Sequence, residues 1–283
     1  MQYRMLSNGV ELPMIGYGTF QIKDAVQCER CVSEALEIGY RLFDTAASYE
    51  NEAAVGAALR SSGLPREAWF VTTKLWVQDA GYDGTLRAFD GSLKQLGLDY
   101  IDLYLIHQPF GDYYGAWRAM ERLYREGAVR AIGVSNFTPE RLVDLCMNQE
   151  IEPMVNQIEI HPFFQQNTAL RVVEDYGVVP QAWGPFSEAQ KDIFHHKTLA
   201  KIAGRHGKTT AQVILRWHLQ RNIPTIPKTV QPERMAENLG VFDFALTERE
   251  MESIAGMDIG HSEIIDHRCF YTARQLNSVK IHE

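Results

Sequence analysis

Four polar residues lie where short apolar runs end, and their types suit proton transfer to a carbonyl oxygen. Asp44 closes the run RLFD, and Tyr49 follows it by five residues. Lys74 closes the run FVTTK, and His107 closes the run DLYLIH. An ammonium group at the end of a buried strand is costly without an anion beside it, and Asp44 ends the preceding run. Lys74 beside Tyr49 would lower the pKa of the phenol and make it a general acid, while His107 could orient the same oxygen.

Each of these residues also has an ordinary structural explanation. A strand-end aspartate can cap a helix, a tyrosine commonly packs, and a strand-end histidine is commonly half-buried. Their recurrence at successive strand ends favours one shared site, because the carboxyl ends of parallel strands meet on one face of a barrel.

Short β-branched runs alternate with longer amphipathic runs along the chain. The short runs predict eight strands, at residues 15–19, 41–44, 70–74, 102–106, 131–135, 154–158, 178–183 and 223–227. The longer runs predict helices at residues 26–38, 51–61, 83–96, 115–126, 139–149, 167–176, 198–205 and 209–221.

This alternation predicts parallel strands joined by crossover helices, which is an α/β fold. Eight units favour a closed (β/α)8 TIM barrel, preceded by an N-terminal β-hairpin that turns at Asn8 and Gly9. An open doubly wound sheet is the alternative. No linker or shift in composition divides the chain, so we expect a single domain over residues 1–283.

The composition is that of an ordinary globular protein. The 283 residues include 36 acidic and 28 Lys and Arg side chains, for a formal net charge of −8, and 45% are apolar. These values exclude a disordered or collagen-like chain. The acidity is spread along the chain without a basic run, which argues against nucleic acid or an anionic membrane as the main partner.

Four cysteines, at positions 28, 31, 146 and 269, are too few and too scattered for a disulfide framework. We therefore expect a reducing, cytoplasmic setting. Cys28 and Cys31 form a CxxC pair, but no second pair of ligands follows, so we expect a structural role for both. The first residues contain no signal peptide, and no apolar run approaches the ~18–20 residues of a membrane helix.

The common dinucleotide-binding fingerprint is not satisfied. Residues 16–21 read GYGTFQ, which is GxGxxQ, does not open a helix and lacks the acidic residue that should follow. The sequence also contains no Tyr-x-x-x-Lys pair, which excludes the short-chain dehydrogenases as an explanation of Tyr49 and Lys74.

Over nearly its whole length the chain resembles the aldo-keto reductase family, in particular bacterial members of the 2,5-diketo-D-gluconate and methylglyoxal reductase type. The segments that carry the resemblance are IGYGTF (15–20), GYRLFDTAASYENEAAVGAAL (39–59), LPREAWFVTTKLW (64–76), GLDYIDLYLIHQP (97–109), GAVRAIGVSNF (127–137), VNQIEIHP (155–162), QAWGP (181–185) and IPKTVQPERMAENL (226–239).

The resemblance implies a barrel that binds NADPH without a Rossmann unit and reduces an aldehyde or ketone by hydride transfer. It assigns proton donation to Tyr49, the lowering of its pKa to Lys74 and Asp44, and orientation of the carbonyl to His107. These roles agree with those argued above from chemistry alone.

The resemblance also implies two groups of cofactor contacts. Those near the nicotinamide, where Trp183 would stack on the ring, are Gly18, Thr19, Asp44, Ser135, Asn136, Gln157 and Trp183. Those near the adenine and the 2′-phosphate are Lys228, Thr229, Val230, Arg234, Glu237 and Asn238. Two cations and a hydroxyl suit a doubly charged phosphate, which favours NADPH over NADH.

For the substrate, the resemblance implies contacts with Phe20, Trp76 and His107. The short stretch between Trp183 and Thr198 predicts an open pocket mouth, and the segment after Gly260 would vary with specificity. We expect small carbonyls, dicarbonyls or keto-sugars as substrates, and a monomeric enzyme.

Two other functions compete with this interpretation. A cofactor-sensing regulatory protein could use the same barrel, although a complete catalytic set is what catalysis requires. A metal-dependent hydrolase would need several strand-end ligands, but His107 is the only strand-end histidine, and His195 and His196 lack a spaced carboxylate partner. We therefore expect no metal.

Overall fold

The chain begins with the hairpin that the sequence predicts. In the computed structural model, which describes residues 2–283, strand β1 (Tyr3–Met5) pairs antiparallel with β2 (Glu11–Pro13). Gly9 has a φ of +84°, and the amide of Leu6 donates to the carbonyl of Val10. A glycine is favoured at such a left-handed position because it lacks a Cβ.

Seven parallel strands follow, each paired with the next along the chain. They are β3 (Tyr17–Gly18), β4 (Leu42–Asp44), β5 (Phe70–Leu75), β6 (Ile101–Ile106), β7 (Val129–Ser135), β8 (Val155–Glu159) and β9 (Val179–Trp183). Their order does not reverse at any point, whereas the order in a doubly wound sheet does.

The predicted eighth strand at residues 223–227 closes the barrel, but its regular pairing is reduced to bridges at Thr225. Thr225 forms isolated parallel bridges with Ile15 on one side and Ala182 on the other. Pro224 and Pro227 carry no amide hydrogen, so this segment cannot complete a regular ladder. The closed (β/α)8 barrel is confirmed, and its closing segment pairs with both neighbours through isolated bridges.

Eight helices lie within two residues of their predicted bounds. They are α1 (Ala25–Ile38), α2 (Glu52–Ser61), α3 (Tyr82–Leu96), α4 (Tyr113–Arg125), α5 (Pro139–Asn148), α6 (Asn167–Asp175), α7 (Lys197–His206) and α8 (Thr210–Gln220). Three short helices were not predicted, namely α9 (Pro232–Leu239), α10 (Glu248–Ala255) and α11 (Phe270–Ser278). Helix α11 has no buried residue, so its sequence carries no apolar stripe to detect.

Buried apolar side chains fill the barrel and the layer between strands and helices. Tyr17, Phe43 and Leu105 from the strands belong to the larger cluster, together with Trp117 from α4. Cys28 is also buried in this cluster, and its burial raises the pKa of the thiol to about 12. Among residues 2–283, no helix has the length and apolarity needed to cross a membrane.

The contact between α2 and α3 depends on a glycine. A Cβ built on Gly56 would overlap the backbone carbonyl of Leu96, whereas a Cβ on the exposed Gly91 of α3 would meet nothing within 4 Å. We expect Gly56→Ala to lower the free energy of unfolding by about 1–3 kcal/mol through overpacking. Gly91→Ala, the matched control, should raise it by up to about 1 kcal/mol because alanine favours the helix. Chemical denaturation checks both, and an equal effect of the two substitutions would contradict the packing argument.

Candidate active site

The carboxyl ends of the strands bring the predicted catalytic residues together. Asp44 ends β4, Lys74 is the penultimate residue of β5, and His107 directly follows β6. Tyr49 ends a single 3-10 turn, Ala47–Tyr49, between β4 and α2. The structure thus confirms the expected convergence of these four residues on one face of the barrel.

The ammonium of Lys74 is fully buried and has three oxygen neighbours. Its Nζ donates to Asp44 Oδ1 at 2.5 Å and to the backbone oxygen of Thr45 at 2.8 Å. The hydroxyl of Tyr49 lies 3.4 Å from the same nitrogen. A buried charge needs such partners, because each lost contact with water must be replaced.

The second oxygen of Asp44 is held from the opposite side of the barrel. Gln157 Nε2 donates to Asp44 Oδ2 at 2.7 Å and to Gln181 Oε1 at 2.9 Å. Burial raises the pKa of Asp44, while the ammonium of Lys74 and the amide of Gln157 lower it. The carboxylate therefore has hydrogen-bond donors on both oxygens, which fixes its orientation.

The predicted lowering of the pKa of Tyr49 is wrong. Burial raises the pKa of this phenol well above its ordinary value, and the negative charge of Asp44 raises it further. Asp44 lies closer to Lys74 than Tyr49 does and neutralises the charge that was expected to act on the phenol. Tyr49 is thus a neutral, protonated hydroxyl, which is the form that can donate a proton.

His107 is a neutral imidazole beside the phenol. Burial lowers the pKa of His107 well below its ordinary value, and the charge of Lys74 lowers it further. The rings of His107 and Tyr49 meet edge to face with centroids 5.5 Å apart. The hydroxyl of Ser48 lies 3.2 Å from Nδ1. If this hydroxyl donates, the ring proton is on Nε2, and Nε2 can donate to an oxygen.

Three residues that the resemblance assigns to the nicotinamide form a connected group. Asn136 has a left-handed backbone with φ of 63°, a conformation that asparagine tolerates better than most residues. Its Nδ2 donates to Ser135 Oγ at 3.2 Å, and its Oδ1 accepts from Trp183 Nε1 at 2.8 Å. The indole of Trp183 is thereby fixed at the end of β9.

Gly18 and Thr19 lie at the seam where the barrel closes. A Cβ on Gly18 would come within 2.9 Å of the backbone oxygen of Ile226, so this close approach requires glycine. The hydroxyl of Thr19 donates to the backbone oxygen of Asp44 at 2.9 Å. Both residues therefore position the strand end that carries Asp44.

A second part of the predicted site surrounds a cavity of about 520 Å³. The predicted residues that line it are Lys228, Thr229, Arg234, Glu237 and Asn238. Val230, which was predicted with them, instead packs against the barrel core. Neither Lys228 nor Arg234 forms an ion pair with any residue in the range 2–283, so both cations are available to an anion.

Two predicted substrate contacts differ in how far they are exposed. Phe20 is half exposed and packs on Tyr49, with ring centroids 5.0 Å apart. Trp76 meets His107 edge to face at 5.3 Å but is only 5% exposed. The indole nitrogen of Trp76 donates to the backbone oxygen of Val279 at 3.0 Å. The chain beyond α11 therefore lies over Trp76, while Phe20 remains half exposed.

Several residues that support the site are not distinguished by the sequence. Ser48 and Thr45 lie in the same DTAASY motif as Asp44 and Tyr49, but their partners become apparent only in three dimensions. Gln181 in β9 holds Gln157 and has no distinguishing spacing in the sequence. Over residues 2–283, no group of three or more His, Cys, Asp or Glu side chains is arranged to hold a metal ion.

Comparisons with known proteins match the chain to one family along most of its length. The profile of the aldo/keto reductase family matches residues 14–259. A glyoxal reductase of Bacillus subtilis is 44% identical over 254 residues, which cover 89% of this chain and 91% of the relative.

Solved structures agree with this match. The aldo-keto reductase MGS-M4, from a Medee basin deep-sea metagenome library, is 45% identical with a TM-score of 0.90, covering 93% of this chain and 99% of that chain. A mutant of Gox0644 in complex with NADPH is 36% identical with a TM-score of 0.89, covering 99% of this chain and 98% of that chain.

The buried ion pair predicts a specific pattern of stability. We expect Asp44→Asn to lower the free energy of unfolding by about 3–5 kcal/mol, because the ammonium of Lys74 then loses its charge partner. The double variant Asp44→Asn with Lys74→Met should recover part of that loss, since no buried charge remains. Urea denaturation measures both, and a double variant that is less stable than Asp44→Asn would contradict the prediction.

Proposed function

Because the chain belongs to the aldo/keto reductase family, we propose that it uses NADPH to reduce small aldehydes and ketones to alcohols. The observation that carries this proposal is the contact of Tyr49 with the Lys74–Asp44 pair, beside a neutral His107. A proton donor and a second hydrogen-bond donor then converge on one carbonyl oxygen. The glyoxal reductase among its relatives acts on a small carbonyl compound, as its name states, which supports the substrate class.

The residues around the 520 Å³ cavity fit the adenine end of NADPH. Lys228 and Arg234 are unpaired cations that could bind a 2′-phosphate, with the hydroxyl of Thr229 between them in sequence. We assign Glu237 and Asn238 to the adenine. Ser135, Asn136, Gln157 and Trp183 would hold the nicotinamide end. When bound, NADPH supplies a hydride to the carbonyl carbon.

In the proposed mechanism, Tyr49 donates its hydroxyl proton to the carbonyl oxygen as that oxygen gains negative charge. The high pKa of Tyr49 does not prevent this step, because an alkoxide is a stronger base than a phenolate. Lys74, 3.4 Å from the hydroxyl, stabilises the phenolate that remains. Asp44 holds Lys74, and His107 donates from Nε2 to the same oxygen and orients it.

We also propose that the enzyme is a single-domain monomer of the cytoplasm. The seven parallel strands that carry the site form one sheet, which supports a single domain. Its four cysteines are free thiols, which suits a reducing compartment. Size-exclusion chromatography with light scattering would test the oligomeric state.

The role of Tyr49 predicts the behaviour of Tyr49→Phe. This variant should lower kcat for carbonyl reduction by about 10²–10⁴-fold, because the proton donor is lost, while NADPH affinity stays nearly unchanged. Turnover is followed by NADPH absorbance and binding by quenching of tryptophan fluorescence. Tyr3→Phe in the hairpin is the matched control. Retained turnover in Tyr49→Phe would refute this role. If the wild-type protein binds NADPH but reduces no carbonyl compound, the result favours a regulatory binding protein.

The role of Arg234 predicts a selective loss of NADPH affinity. Arg234→Ala should raise the Kd for NADPH by about 10- to 100-fold, since a charge-assisted contact with the 2′-phosphate is lost. The Kd for NADH, which lacks this phosphate, should change little. Arg249→Ala removes an equal charge from the exposed face of α10 and serves as control. An equal loss for both cofactors would show that the phosphate binds elsewhere.

A further inference from the structure

Asn51 directly precedes α2 but does not cap this helix. The residue before a helix commonly accepts a backbone amide of the first turn through its side chain. Asn51 occupies this position, yet its side chain forms no such hydrogen bond. The residue is nevertheless buried, with only 3% of its surface exposed. A buried amide that does not cap the helix needs partners elsewhere, because unpaired buried polar atoms are costly.

The partners of Asn51 belong to two different loops. Its Oδ1 accepts from the hydroxyl of Thr45 at 2.6 Å. Its Nδ2 donates to the backbone oxygens of Thr19 and Ile22 at 3.0 and 3.2 Å. The side-chain amide therefore joins the loop that follows β4 to the turn at residues 19–22.

The turn at residues 19–22 carries Phe20 at its exposed tip. Phe20 is 49% exposed, and its ring packs on the ring of Tyr49 with centroids 5.0 Å apart. Gln21 is also exposed and has a left-handed backbone with φ of 67°, which is unfavourable for a residue with a Cβ. The two hydrogen bonds from Asn51 hold both ends of this turn, so they fix the position of Phe20 relative to Tyr49.

The ammonium of Lys74 depends much less on this side chain. The backbone oxygen of Thr45 accepts from Lys74, but the amide of Thr45 donates to the backbone oxygen of Thr72 at 2.9 Å. This backbone pairing holds Thr45 in place without Asn51. Loss of the Asn51 side chain should thus displace Phe20 and leave the ammonium where it is.

We infer that Asn51 is a positioning residue, which holds Phe20 beside the proton donor as an apolar surface for the carbon chain of the substrate. This inference rests on the proposed function, in which Tyr49 donates the proton and Phe20 contacts the substrate. Because such a surface binds the carbon chain equally in the ground state and the transition state, Asn51 should affect KM more than kcat. The effect should grow with the length of the chain, since more apolar surface is buried.

The test compares two aldehydes, propanal and hexanal, with NADPH as cofactor. The quantity measured is the hexanal-to-propanal ratio of kcat/KM, because differences in intrinsic reactivity cancel when a variant is compared with the wild type. Asn51→Ala should lower this ratio by about 3- to 10-fold, mainly through a higher KM for hexanal. The kcat for either aldehyde should change by less than about twofold.

A double-mutant cycle tests whether Asn51 acts through Phe20. Phe20→Ala alone should lower the ratio by about 10-fold, since the apolar ring is lost. Adding Asn51→Ala to Phe20→Ala should lower the ratio no further, because no ring remains to be positioned. A general structural defect at Asn51 would instead lower the ratio in both backgrounds or reduce kcat equally for both aldehydes.

Gln165→Ala is the matched control. Gln165 is also 3% exposed, and its side-chain amide donates to the backbone oxygens of Pro162 and Ile254 at 2.9 and 2.7 Å. The substitution removes an equally buried amide that joins two other segments, so it should leave the ratio unchanged. Thermal unfolding identifies variants that fail to fold, and Asn51→Ser, which keeps a polar side chain, replaces Asn51→Ala in that case.

The outcomes separate this inference from the proposed function. A wild-type protein that binds NADPH but reduces neither aldehyde would defeat the proposed function itself. With wild-type turnover, a ratio that Asn51→Ala or Phe20→Ala leaves unchanged would overturn only the role of Asn51, as would losses that multiply in the double variant. A loss in Asn51→Ala that disappears in the Phe20→Ala background would support it.

Discussion

The buried ammonium of Lys74 is the constraint on which the rest of the site depends. Because it is cut off from water, it must be surrounded by oxygens, and Asp44 and the carbonyl of Thr45 supply two of them. Gln157 then fixes the far side of Asp44 from across the barrel. The geometry at Tyr49 follows from this network, since the phenol occupies the remaining side of the ammonium.

The barrel closes through backbone hydrogen bonds of the segment at residues 223–227. At the seam, Thr225 bridges to Ile15 and to Ala182, and the amide of Gly18 donates to the backbone oxygen of Pro227. Gly18 also allows the backbone of Ile226 to approach closely. The same segment continues directly into Lys228 at the edge of the 520 Å³ cavity. One short stretch of chain therefore closes the barrel and also places Lys228, a cation proposed to bind the phosphate.

The sequence reveals polar residues that need a partner when they are buried in a core. It does not reveal how strongly burial and neighbouring charges shift their pKa values. Lys74 at a strand end could be recognised because such a residue needs a partner. The sign of the pKa change at Tyr49 could not, since it depends on how deeply the phenol is buried and on its distance from the charge of Asp44.

Helix α11 contributes no buried residue, yet the chain just after it lies on Trp76 through the carbonyl of Val279. The contact with Trp76 is made by a backbone carbonyl, which a residue of any type can provide. Mutations in α11 should therefore change the free energy of unfolding little, whereas mutations in the barrel core change it strongly. Natural variation can therefore accumulate in α11 while the backbone that covers Trp76 and the packing of the barrel are both preserved.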